Sequence, residues 1–195
     1  MSTEAVVRCL TSSEVSESVQ MQMIVHGAPV LKNVKMSSMF TVPAGTSPIV
    51  CSFLYQTGVR LCRLCSSGSR DIIFLYREKW MESWLNRSEI AGFLLGYGYN
   101  DEPLRQKLSY LGERLSYYYE RSQDFPHETG LFLGYPLEDV RGFIRHRGKE
   151  CRYTGYWKVY SDVEGAKRMF RVYDEARVCA VNEFFSGKNI REIAC

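Results

Sequence analysis

The run Ile72-Ile73-Phe74-Leu75 constrains this chain more than any other feature. Four consecutive apolar residues directly after the turn-forming Ser66-Ser67-Gly68-Ser69 read as a strand buried on both faces, because a half-exposed strand alternates. Such a strand needs neighbours. Residues 59–65 supply one across the turn, and residues 39–42, ended by Pro43-Ala44-Gly45, supply another.

Most of the remaining sequence reads as helix. Residues 13–26 form one through Val15, Val19 and Met23, with Gly27 and Pro29 expected to stop it. Ser47-Pro48 opens a second, with Gly58 closing it. Residues 80–95 are helical with a break near Asn86-Arg87-Ser88, and Gly96-Tyr97-Gly98-Tyr99-Asn100 interrupts the chain. Residues 102–121 follow, carrying an apolar stripe of Leu104, Leu108, Leu111 and Leu115. Residues 125–133 form a short helical turn, and Pro136 opens a helix whose acidic start and basic end suit its dipole. Residues 152–160 alternate as a strand: Tyr153, Gly155, Trp157 and Val159 on one face, Thr154, Tyr156, Lys158 and Tyr160 on the other. Ser161-Asp162-Val163-Glu164 reads as a capping box opening a long helix that Gly187 ends. The expectation is a helix-rich α+β protein with a small, mostly antiparallel sheet of three to four strands. Without repeats or a long linker, residues 1–195 are expected to form a single domain.

Composition narrows the functional classes. Lys and Arg number 25 against 22 Asp and Glu, a net charge of +3, too small to argue nucleic acid or an anionic membrane. No stretch approaches the ~18 apolar residues of a membrane span, and the start, with Glu4 and Arg8, does not resemble a secretory signal. The seven cysteines (Cys9, Cys51, Cys62, Cys65, Cys151, Cys179 and Cys195) are scattered, mostly within apolar runs. That pattern predicts reduced thiols and a cytoplasmic protein.

The segment 125–144, Phe-Pro-His-Glu-Thr-Gly-Leu-Phe-Leu-Gly-Tyr-Pro-Leu-Glu-Asp-Val-Arg-Gly-Phe-Ile, resembles a bacterial family known as domain of unknown function 3793, found mainly in Firmicutes. The likeness is most specific over residues 124–177, including Cys151 and Thr154-Gly155-Tyr156-Trp157-Lys158-Val159-Tyr160. Near the N-terminus, family members tend to carry His-Cys-Ala-Pro-Thr-Leu where this chain has His26-Gly27-Ala28-Pro29-Val30-Leu31. Any role of that cysteine is therefore not shared here. The resemblance implies neither a reaction nor a cofactor.

Candidate chemistry centres on His127 and Glu128, expected in a first helical turn, where backbone N–H groups favour anions. A histidine there can act as base or ligand, and Glu128 can orient it or bind a cation. Adjacent helical residues point about 100° apart, so convergence would need outside help. The Tyr156–Lys158–Tyr160 face offers a lysine between two rings, suited to a phosphate or carboxylate. With His26 as a possible third member, these residues form a candidate ligand site. A first-turn glutamate beside a packed histidine, and tyrosines on an ordinary solvent face, account for the same residues structurally.

Cys62-Arg63-Leu64-Cys65 is a lone C-x-x-C whose thiols should diverge on a strand, and no second pair completes a metal site. Between Arg141 and Ala180, ten basic residues face five acidic ones among several tyrosines, a weak nucleic-acid signal. Residues 186–194 are similar to the first helix of a helix-turn-helix, but no recognition helix is expected after Cys195. The reading is thus a small-molecule, anion or metal-binding protein, with a small enzyme of unassigned reaction within the same reading. A protein-interaction or regulatory module is the alternative, and nucleic-acid binding a distant third.

Overall fold

The computed structural model describes residues 3–121 and 124–194; Cys195 lies outside them. In chain order the elements are α1 (Thr3–Leu10), α2 (Val15–Leu31), β1 (Ser37–Pro43), α3 (Ser47–Phe53), β2 (Arg60–Ser67), β3 (Arg70–Tyr76), α4 (Glu78–Leu85) and α5 (Ser88–Leu95). They continue with α6 (Leu104–Arg121), α7 (Thr129–Phe132), α8 (Leu137–Arg145), β4 (Tyr153–Thr154), β5 (Lys158–Val159), α9 (Val163–Phe185) and α10 (Ile190–Ile193). This is the expected helix-rich α+β class. The chain divides into two compact units: Met1–Arg77 with Tyr173–Cys195, and Glu78–Val172.

In the first unit the apolar run is the middle strand of an antiparallel sheet ordered β1-β3-β2. Ile72, Ile73, Phe74 and Leu75 are at most 2% exposed, as a strand buried on both faces requires. Met39 and Cys62 both face Phe74 across the ladder. Asp71, 2% exposed, ties the loops at the end of this sheet. It accepts from Ser66 Oγ (2.7 Å), Gly45 N (3.0 Å) and Ser47 Oγ (3.2 Å), and Ser66 is the main cause holding its carboxyl below the usual range.

Two local expectations are overturned in this unit. Gly27 and Pro29 do not stop α2, which runs through them to Leu31. The helix is buried around most of its circumference in this stretch, and that burial outweighs the roughly 3 kcal/mol cost of an internal proline. Its end is fixed by Arg77, whose Nε and Nη2 donate to the carbonyls of Val30 and Leu31 at 2.9 Å each. Gly27 is needed for packing, since a Cβ there would stand 3.0 Å from Leu75 Cδ1. Finally, the register of β2 slips between Arg63 and Cys65, so Cys62 opposes Phe74 while Cys65 opposes Ile72. One extra residue returns both thiols to the same face of the sheet, where a regular strand would separate them.

The second unit keeps the expected break between α4 and α5 and the long α6. The strand expected over residues 152–160 is a two-stranded hairpin instead, with Tyr153 opposite Val159 and Thr154 opposite Lys158. Asp139 on α8, 3% exposed, is the cause of this shape. It accepts from Trp157 Nε1 (2.7 Å), and from Tyr160 N, Ser161 N and Ser161 Oγ at 2.8 Å each. Four donors on one carboxylate turn the chain back onto α8. Gly142 lets Tyr160 lie against that helix, because a Cβ there would meet the ring at 2.5 Å. The box expected at Ser161 is rearranged: Ser161 is committed to Asp139, and Asp162 Oδ1 accepts from Gly165 N (2.8 Å) in its place.

Candidate functional site

His127 and Glu128 sit in the turn just before α7, rather than inside a longer helix, and their side chains part. Glu128 turns inward and is fully buried. Its Oε1 accepts from Arg114 Nε on α6 and from Tyr99 OH (3.2 Å), while Oε2 has no partner. Burial, followed by the Glu128 charge, pushes the Tyr99 phenol far above its usual value, so it remains a neutral donor. Arg114 lies 5.9 Å from the ring centres of both Tyr97 and Tyr110. The carboxylate fastens the turn to α6. His127 turns the other way and packs between Phe125 (5.7 Å) and Phe143 (5.1 Å).

Lys158 shares one neighbour with His127. Its ammonium lies 5.8 Å from the Phe143 ring and donates to the Gly148 carbonyl. Tyr160 stacks on His146 (5.6 Å, 18°), and its hydroxyl donates to Lys149 O (3.0 Å). Tyr156 is in the hairpin turn, away from the lysine, with its ring 5.4 Å from Phe170 and its carbonyl accepting from Tyr135 OH. Burial raises that Tyr135 phenol to about 12. His26 belongs to the first unit, on an exposed side of α2, stacked on Phe40 at 5.6 Å. Of the six sequence candidates, the fold therefore brings His127 and Lys158 to a common ring and disperses the others.

A different set of residues lines open space. Two hollows of about 380 and 290 Å³ lie where α4, α5 and the start of α6 meet. The larger lies within, and the smaller just under, the range of small-molecule sites, ~300–1,000 Å³. Asn86, Asp101 and Lys107 line both, so the hollows are two lobes of one cleft. The first lobe has walls of Ala91, Leu94, Leu95 and Tyr99, and the second has Glu82 and Glu102 at its rim. Lys107 is only 7% exposed, and its side chain makes no hydrogen bond or ion pair with the described residues. Its position explains the burial. Lys107 is three residues after Leu104 and four before Leu111, on the apolar stripe of α6, and a lysine on that stripe was the readable signal.

The first unit holds a second buried lysine that the motifs do not mark. Lys35, also 7% exposed, donates to the Ser37 carbonyl and lies 6.0 Å from the Tyr173 ring. Burial pulls its pKa down to about 7. Among the described residues, no group of three His, Cys, Asp or Glu side chains could hold a metal ion, and no helix is long and apolar enough to cross a membrane.

Fold and cleft together define a helix-rich α+β protein with a lysine-floored, two-lobed hollow in its second unit. The model of the family described as protein of unknown function (DUF3793) matches residues 23–194, and the chain belongs to that family. The match includes the His26–Leu31 motif as well as the segment 124–177. Comparison with the curated proteins and with the solved structures gives no match.

Proposed function

We propose that this protein binds a small organic ligand with an anionic group in the cleft between α4, α5 and the start of α6. One observation carries the reading: Lys107 is buried to 93%, has no partner among the described residues, and lines both lobes. The stem of this lysine is packed away from water, and no acceptor among the described residues meets its ammonium group. An anionic group in the cleft would supply that acceptor. The backbone supports it, since Gln106 N and Lys107 N are satisfied by the Pro103 carbonyl while Leu104 and Arg105 begin α6. The first N–H groups of a helix favour anions. From the scattered, unpatterned cysteines of the sequence we place the protein in the bacterial cytoplasm.

The test is a thermal-shift screen of the full chain and the Lys107→Met variant against organic acids, phosphates, nucleotides and amino acids. A ligand at ~100 Kd adds about 2.7 kcal/mol to stability. At least one anion should stabilise the native chain and lose that effect in the variant. Only shifts that persist in Lys107→Met, or none at all, would overturn the site.

A protein-interaction role has one observation in its favour. Tyr117, Tyr118 and Tyr119 near the end of α6 are each at least 36% exposed, and Arg121 covers the Tyr117 ring at 5.0 Å. Replacing Tyr117 and Tyr118 by Ser would abolish a partner contact there without altering any Lys107-dependent shift.

A further inference from the structure

Charge and polarity are unevenly divided along the cleft. The first lobe is bounded mainly by Ala91, Gly92, Leu94, Leu95 and the buried Tyr99. The second is rimmed by three carboxylates, Glu82, Asp101 and Glu102, and walled by Leu85, Pro103 and Leu104. Lys107 stands at the junction. None of these three carboxylates makes an ion pair with Lys107 or with any other described residue. Four charged side chains thus face one hollow without neutralising one another.

An anion alone would satisfy Lys107 but would then lie close to three negative groups. A metal ion would satisfy the carboxylates but not the lysine, and no three of the described groups converge closely enough to hold one. A ligand carrying both signs, with an apolar body, offers an acceptor to Lys107, a cation to the carboxylates at the rim, and an apolar group to the first lobe. Resting on the anion-site reading above, we infer that the cleft takes a free α-amino acid with an apolar side chain. Its carboxylate meets Lys107, its ammonium group faces Asp101 and Glu102, and its side chain occupies the lobe of Ala91, Leu94, Leu95 and Tyr99. The two ends of an α-amino acid are one carbon apart. Lys107 and Asp101 both line the junction of the lobes. Asn86, on both lobes, offers an amide able to donate to the carboxylate or accept from the ammonium.

Isothermal titration of the full chain with L-leucine, 4-methylpentanoate and 3-methylbutylamine separates the contributions, since the second lacks the amine and the third the carboxylate. L-Phenylalanine, L-valine and L-methionine complete the panel. At least one of the amino acids should bind, and for leucine each truncated analogue should bind at least ~10-fold more weakly, as expected for losing one charge-assisted contact. Lys107→Met should abolish binding, and Lys107→Arg should restore part of it. Asp101→Asn with Glu102→Gln should weaken the amino acid several-fold and leave 4-methylpentanoate unchanged or tighter. Unchanged melting temperatures would show that the variants are folded. If 4-methylpentanoate binds as well as leucine in a Lys107-dependent manner, the anion site stands and the amino-acid assignment falls. If no amino acid in the panel binds, the assignment also falls, while a Lys107-dependent shift from another anion preserves the site. With no Lys107-dependent ligand at all, both are wrong.

Discussion

The two units solve the same problem with different means. The first is organised by an apolar cluster in which Ile24, Val30, Leu31, Ile73, Leu75 and Val181 are essentially removed from water, and strand pairing fixes its register. The second has only a four-residue hairpin of sheet, and its turns are fixed by two buried carboxylates, Glu128 and Asp139. Apolar packing is non-directional and tolerates adjustment, whereas a buried carboxylate demands particular donors in particular places. A unit built on such polar anchors more readily keeps a charged side chain facing a cleft, and Lys107 is in that unit.

Substitutions can break this contrast. Ile73→Ala, at the centre of the apolar cluster, should cost about 4 kcal/mol, because the cavity left between packed elements collapses only partly. Urea denaturation would measure the loss. Arg114→Met should cost about 3 kcal/mol, since it leaves the fully buried Glu128 with Tyr99 alone. Hydrogen exchange should then show new openings in residues 97–99 and 127–132, while β3 stays protected. An equal loss of protection throughout β3 would refute the distinction between the units.

Lys35→Met sharpens the comparison by removing a charged group that, unlike Asp71, is buried in the apolar unit without an array of donors or acceptors fixing a turn. Its folded pKa of about 7 is depressed from the usual 10.5, so the unfolded chain binds more protons between those values. The penalty is therefore greatest at and below pH 7 and fades as pH rises towards 10.5. The variant should be more stable by about 1–2 kcal/mol at pH 7 and converge with the native chain near pH 10. A difference independent of pH would show that Lys35 is not the group responsible. The smallest effect is expected from Lys107→Met, within about 0.5–1 kcal/mol of the native chain, since its flexible end faces the cleft. A large loss of stability in this variant would mean that Lys107 serves packing rather than ligand.

Local chemistry determined much of this protein. The turn at Ser66–Ser69, the break at Asn86–Ser88, the apolar stripe of α6 and the doubly buried strand were all legible, because each depends on residues within a few positions of one another. The family likeness was legible for the same reason. What only the tertiary structure decided were events set by burial and by distant partners. Pro29 stays inside α2 because its surroundings exclude water, residues 152–160 fold into a hairpin because Asp139 gathers four donors, and Cys62 and Cys65 share a face because β2 slips in register. The candidate site divides in the same way. His127, Glu128 and Lys158 were conspicuous by type, but what each touches is fixed by Arg114, Phe143 and Gly148, residues ten or more positions away. Lys107 was marked only by its place on the apolar stripe of α6, and what its charge faces was decided when the chain closed around it, because a charge acquires its energetic meaning from the dielectric and the partners that folding supplies.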